Sequence, residues 1–89
     1  MLKLFYLKHC PFCKRALKYL EELREADPTI ASLPIEMIEE EEEAEVANRY
    51  DYYYVPTFYW GEEKLHEGGI YKEELEELLR GVVAKAKNQ

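Results

Sequence analysis

The chain has 89 residues, 47% of them hydrophobic, and 19 acidic against 12 basic side chains give a net charge of −7. That length suits one small domain, residues 1–89, with an economical core, and the acidic balance argues against a nucleic acid partner, since phosphate binding wants a net basic surface. No apolar run approaches the ~18 residues of a membrane span, so no membrane association is expected. Met1 leads into a strand-like segment without the layout of a secretory leader, so the expected location is cytoplasmic, in a reducing compartment.

Leu2 to Leu7 is apolar on both alternating faces, with Lys3 near its start, as in a central strand covered on both sides. Cys10-Pro11-Phe12-Cys13 follows. From Pro11 onward, Phe12, Ala16, Leu20 and Leu23, with Leu17 and Tyr19 beside them, recur at helical spacing until Asp27-Pro28 stops the run. Cys10 therefore falls at a helix N-terminus, where unpaired backbone N–H groups and the positive end of the helix dipole stabilise an anion. Pro11 suits the first helical position because its missing N–H costs nothing there.

Residues 28–33 read as a loop, and Pro34 to Ile38 alternates like a short strand. The spacing then predicts a second helix beginning in the acidic run. Glu39 to Glu43 and Glu45 place negative charge in its first turns, and Ala44, Ala47 and Tyr50 supply a modest buried stripe. The glutamates read as a solvated helix face rather than a docking surface. Asp51 to Trp60 is rich in tyrosine and contains Val55-Pro56-Thr57-Phe58. Phe58 to Trp60 reads as a strand, Gly61 to Lys64 as a hairpin turn, and Lys64 to Glu67 as the returning strand. Gly68-Gly69 breaks it, and Ile70 onward is helical, burying Leu75, Leu78, Leu79, Val82 and Val83 before a polar tail. The order β-α-β-α-β-β-α defines an α/β chain. A right-handed parallel crossover comes first, a hairpin then joins the same mixed sheet, and helices cover both faces.

The chemistry concentrates at the cysteines. Cys10 and Cys13 are the only two, so neither a framework of structural disulfides nor four-cysteine zinc coordination within one chain is available. Two thiols on one helical turn suit reversible thiol–disulfide exchange, one sulfur open to attack and the other resolving the product. Charge sharpens this reading. The first twenty residues hold Lys3, Lys8, Lys14, Arg15 and Lys18 and no acid, so Lys8, His9, Lys14 and Arg15 are expected to lower the Cys10 pKa. For any one of these the competing reading is a solvated surface charge. His66 has no recognisable partner in the sequence and is expected to be structural. A second class of function is a metal or iron–sulfur protein in which the thiolates of two chains share the ion; no resident metal ligand set is assigned.

Cys10-Pro11-Phe12-Cys13 after a first strand, Val55-Pro56-Thr57 before a hairpin and Gly68-Gly69 before the last helix together resemble the glutaredoxin branch of the thioredoxin superfamily, over nearly the whole chain. The resemblance implies a thioredoxin fold, a four-stranded mixed sheet flanked by three helices. It also implies a cis peptide bond at Pro56 and a Val55 backbone left free to bind an extended substrate. Catalysis would fall to Cys10 and Cys13, and substrate binding to Pro11, Phe12, Tyr54, Val55, Pro56, Gly68 and Gly69. The implied partners are disulfide-containing proteins, with glutathione or a thioredoxin-reductase-type donor as reductant. No bound cofactor and a monomer are expected.

The chain departs from the family pattern around glutathione. Tyr54 stands where glutaredoxins usually have threonine. Ile70, Tyr71 and Lys72 precede the first acid, Glu73, after the glycines, where the family usually places aspartates. The lysine that often lies three residues before the first cysteine is here Lys8, two before. Tyr54 is the candidate groove wall that favours aromatic or extended protein segments over glutathione. The competing reading is that Tyr50, Tyr52, Tyr53 and Tyr54 simply pack the domain.

Overall fold

The computed structural model describes residues 1–87; the end of the polar tail lies outside them. The elements are β1 (Leu2–Tyr6), α1 (Pro11–Ala26), α2 (Pro28–Ala31), β2 (Ile35–Glu39), α3 (Ala44–Ala47), β3 (Thr57–Trp60), β4 (Glu63–Glu67) and α4 (Lys72–Lys87). The four strands form one sheet in the order β2-β1-β3-β4. β1 runs parallel to β2, with Leu4 opposite Met37, and antiparallel to β3, with Leu4 opposite Phe58. The mixed sheet and the position of β1 inside it are those the sequence predicts.

Alternation along β1 divides the core in two. Leu2 and Leu4 point to one face, where they meet Ala16, Leu20 and Leu23 of α1 and Leu75, Leu79 and Val82 of α4. Phe5 points to the other, where it packs with Ile38, Ala47 and Tyr59 and with the half-buried Tyr50 and Tyr52. Phe5 is the hub of this second cluster, its ring centroid 4.8 Å from that of Tyr50, 5.0 Å from Tyr52 and 5.8 Å from Tyr59. Tyr59 also donates to Asp51 O at 2.6 Å, which gives its polar end a partner. Tyr50, Tyr52 and Tyr59 thus do the packing, whereas Tyr53 and Tyr54 are exposed.

Two segments take a different secondary structure from the one expected. The loop read at 28–33 contains a further one-turn helix, α2, because Asp27 ends α1 and at once caps the next helix. Its carboxylate accepts from Thr29 N at 2.9 Å, with Pro28 at the first helical position. Ile30 is thereby buried. The acidic run does not start a helix. Glu39 instead completes β2, and its carboxylate accepts from Glu41 N at 2.7 Å and Glu42 N at 3.1 Å, which folds residues 40–43 into turns. Only Ala44–Ala47 is helical, and of the expected stripe Ala47 is buried, Tyr50 half-buried and Ala44 exposed.

The hairpin is tighter than expected. Gly61, at φ +60°, and Glu62 alone connect β3 to β4, the positive φ being the reason for glycine there. The last helix begins at Lys72, two residues after Ile70, which is buried ahead of it. Because Phe5 joins three tyrosine rings on the face that lacks long helices, Phe5→Ala is expected to lower the unfolding free energy by about 3–5 kcal/mol, seen as a lower urea midpoint. A midpoint near wild type would mean that this aromatic cluster contributes little to the fold.

Candidate functional site

Cys10 is the N-cap of α1, with extended backbone (φ −79°, ψ 123°), and Pro11 occupies the first helical turn. The chain reaches this point through a turn in which Cys10 N donates to Leu7 O at 3.3 Å. Cys10 is partly exposed, Cys13 is fully buried, and both are free thiols. The Cys13 sulfur lies over the end of β1, accepting from Leu7 N at 3.4 Å.

The two environments push the thiols in opposite directions. At Cys10 partial burial opposes ionisation, but hydrogen bonds from the Cys13 backbone N–H, the Cys13 thiol and the Phe12 backbone N–H outweigh it and hold the pKa below its ordinary value. At Cys13 burial dominates and pushes the thiol up to about 12; the Leu7 N–H works against this, and the Cys10 and Glu40 charges reinforce it. The groups that favour the Cys10 thiolate are therefore donors of the first turn of α1. Of the four cations and imidazole neighbours singled out in the sequence, Lys8 turns its charge to Glu42 in an ion pair. His9, Lys14 and Arg15 are exposed, and Arg15 lies over the Phe12 ring at 5.7 Å.

Two further segments link to the turn that carries the thiols, through Phe12. The Val55–Pro56 peptide is cis, and Pro56 is buried at the entry to β3. Gly68, at φ +91°, donates from its N–H to Pro56 O at 2.8 Å, and a Cβ placed on it would lie 3.8 Å from Tyr54 Cβ. Gly69 faces the other way: a Cβ there would approach Phe12 Cδ1 to 3.1 Å. The two glycines thus link Pro56 and Tyr54 to the Phe12 ring beside Cys10, one through its backbone angle and the other through close approach. Among the described residues neither the N–H nor the C=O of Val55 is hydrogen-bonded within the chain.

Two carboxylates to which the sequence reading gave no place in the site hold the loops in place. Glu39, 4% exposed, accepts from Lys8 N at 3.0 Å as well as from Glu41 and Glu42, so it ties the approach to Cys10 to the end of β2. The Lys8 N–H, ahead of the cost of burial, and the two neighbouring N–H groups hold its pKa low. Glu67 accepts from Tyr53 N at 2.6 Å and Tyr54 N at 3.0 Å and pairs with Lys64 at 2.7 Å, tying the approach to Pro56 to the end of β4. His66, expected to lack a partner, has one. Its Nε2 lies 2.9 Å from Gly69 O, and a carbonyl there requires that nitrogen to carry the proton. Nothing in the sequence distinguishes these glutamates from their acidic neighbours; only the fold brings them to strand ends. Among the described residues no group of three or more His, Cys, Asp or Glu side chains is placed to hold a metal, and no helix is long and apolar enough to cross a membrane.

The architecture is that of the thioredoxin-like fold. Two solved structures are similar in fold: the thioredoxin-like protein BC3987, at a TM-score of 0.61 and 22% identity over 88% of this chain and 99% of that one, and a point mutant of it, at 0.62 and 23% over 89% and 99%. The sequence model of the glutaredoxin family matches residues 2–65, and the chain belongs to that family. None of the curated proteins compared matches it. Family membership assigns the chain a thiol–disulfide redox role.

Two measurements test the electrostatics. Alkylation of Cys10 followed against pH is expected to show a midpoint below the ~8.5 of free cysteine, while Cys13 resists until the pH nears about 12. A Cys10 midpoint at or above the free value would remove the account based on the helix donors. Glu67, ordinarily at 4.5, is held at about 2 by the Lys64 ammonium first and then by the Tyr53 and Tyr54 N–H groups, against the cost of burial. A depressed carboxylate stabilises the fold above its unfolded pKa and loses that contribution as the pH falls. The stability difference between wild type and Glu67→Gln is therefore expected to shrink from about 4.5 down to about 2 in urea titrations. A difference that stays constant over that window would deny the clamp its charge.

Proposed function

We propose that the chain is a dithiol thiol–disulfide oxidoreductase that reduces protein or glutathione mixed disulfides through Cys10 and Cys13. The observation that carries this reading is the contrast between two thiols one helical turn apart: Cys10 is open and biased toward thiolate, whereas Cys13 is sealed and pushed up to about 12. The Cys10 thiolate attacks one sulfur of the substrate disulfide. The S–S bond breaks, one thiolate leaves and is protonated by water, and the other half remains bound to Cys10 as a mixed disulfide.

That step changes the second thiol. Charge on Cys10 is one of the causes that raise the Cys13 pKa, and it disappears when the Cys10 sulfur becomes part of a neutral disulfide. Cys13 then gives up its proton, attacks Cys10 Sγ and expels the second substrate thiolate, which is protonated in turn. The dithiol has lost two electrons and two protons, and the substrate has gained them. Glutathione or a thioredoxin-reductase-type dithiol reverses the oxidation of the pair.

Substrate is held beside the pair. An extended segment pairs with the unoccupied Val55 N–H and C=O as an added strand would. Pro11 and Phe12 border it on one side and Tyr54, Pro56, Gly68 and Gly69 on the other. Cys10→Ser is expected to abolish turnover of a disulfide peptide, and Cys13→Ser to accumulate a mixed disulfide visible by mass spectrometry. The reverse pattern, with adducts forming on Cys13, would end the assignment of roles.

A further inference from the structure

A groove of about 470 Å³ opens beside the Phe12 ring, lined by Phe12, Arg15, Tyr19, Gly69, Ile70 and Tyr71. Its walls are apolar or aromatic, its one ionised lining group is Arg15, and the nearby Glu74 carboxylate is engaged by the Tyr71 backbone N–H at 3.0 Å. Phe12 is 54% exposed, and Tyr71 and Tyr54, on either side of the paired glycines, are 74% and 70% exposed. Open aromatic surface therefore runs from the approach to Pro56, past Gly68 and Gly69, to the start of α4.

The cations divide sharply. Lys8, Lys64, Lys72, Arg80 and Lys85 each pair with a carboxylate, as expected in a chain with an excess of acid. Among the described residues Lys14, Arg15 and Lys18, on the exposed side of α1, pair with none. The guanidinium of Arg15 rests over the Phe12 face, which limits its freedom and leaves its N–H edge free for two parallel bonds to a carboxylate. A groove with apolar walls and one unpartnered guanidinium matches an apolar side chain next to an acidic one. Glutathione carries carboxylates but no large apolar side chain to fill this volume.

We propose that this groove is a specificity subsite beside the exchange site, and that Arg15 selects acidic, extended polypeptide segments carrying an apolar residue near the disulfide. The proposal rests on the reading of Cys10 as the attacking thiol and adds to it the chemistry of the substrate. Arg15 then reads substrate charge directly, a role distinct from the tuning of Cys10 expected from the sequence. Lys14 and Lys18 contribute a same-sign field that speeds encounter and weakens with salt.

The test uses fluorescence-quenched disulfide dimers of a cysteine peptide bearing one phenylalanine, with glutamate, glutamine or lysine on both flanks. Wild type is expected to turn over the glutamate dimer with kcat/KM about five- to tenfold above the glutamine dimer, the gain lying in KM, and the lysine dimer more slowly than either. Arg15→Gln is expected to reduce the preference below about twofold, and Arg49→Gln, a charge change elsewhere in the chain, to leave it intact. Glutathione disulfide, run alongside, is expected to lose less in Arg15→Gln than the glutamate dimer does. Equal rates for the three dimers, a preference that survives Arg15→Gln, or a glutathione loss matching that of the glutamate dimer would overturn the proposal. If no dimer is turned over, the exchange reading fails by itself. The groove is then judged by NMR titration with the S-methylated glutamate peptide, which is expected to shift Phe12, Arg15 and Tyr71; shifts absent or elsewhere would overturn it.

Discussion

The site depends on where α1 begins. With Cys10 as N-cap and Pro11 next, the first turn places Cys13 inward over the end of β1 and leaves Cys10 at the rim. Moving that start by one residue would rotate the pair by about 100° and carry Cys13 off the buried face. The same turn supplies the N–H groups that favour a thiolate on the outer sulfur. Reactivity and inertness, in two side chains of the same chemistry, thus follow from which side of one helix each occupies.

Most of this was legible because it is carried by periodicity and by residues with special backbone demands. The doubly apolar β1, the Ala16, Leu20 and Leu23 stripe, and Leu75, Leu79 and Val82 are patterns whose apolar faces meet in one core. The proline after Cys10 and the glycines after Glu67 mark boundaries directly. The acidic run misled because glutamate is both a good helix former and a good acceptor for backbone N–H groups. At Glu39 the second property won, since the loop after β1 supplied the Lys8 N–H that a helix start would have left unused.

The loops next to the thiols were the least legible part of the site. Their conformation is held by Glu39 and Glu67, each bonded across to a segment far away in sequence, so nothing local identifies them. Charge was misleading in a related way. A cluster of cations in sequence suggested a common action on Cys10, but side-chain direction separates them: Lys8 goes to Glu42, Arg15 to the Phe12 face, and the lowering of the Cys10 pKa falls to backbone donors and the neighbouring thiol. Counting charges gives a field, and only coordinates say which group receives it.

The outermost strands of the sheet have a consequence for self-association. β2 reads Ile-Glu-Met-Ile-Glu and β4 reads Glu-Lys-Leu-His-Glu, so both borders are studded with ionic or polar side chains. A stray chain that tried to lengthen the ladder would have to strip water from those groups, and the extra residue in β4 opposite Phe58 and Tyr59 bends that border out of register. Were Val55 to receive a substrate strand as proposed, these two borders would offer that strand no competing place to anneal.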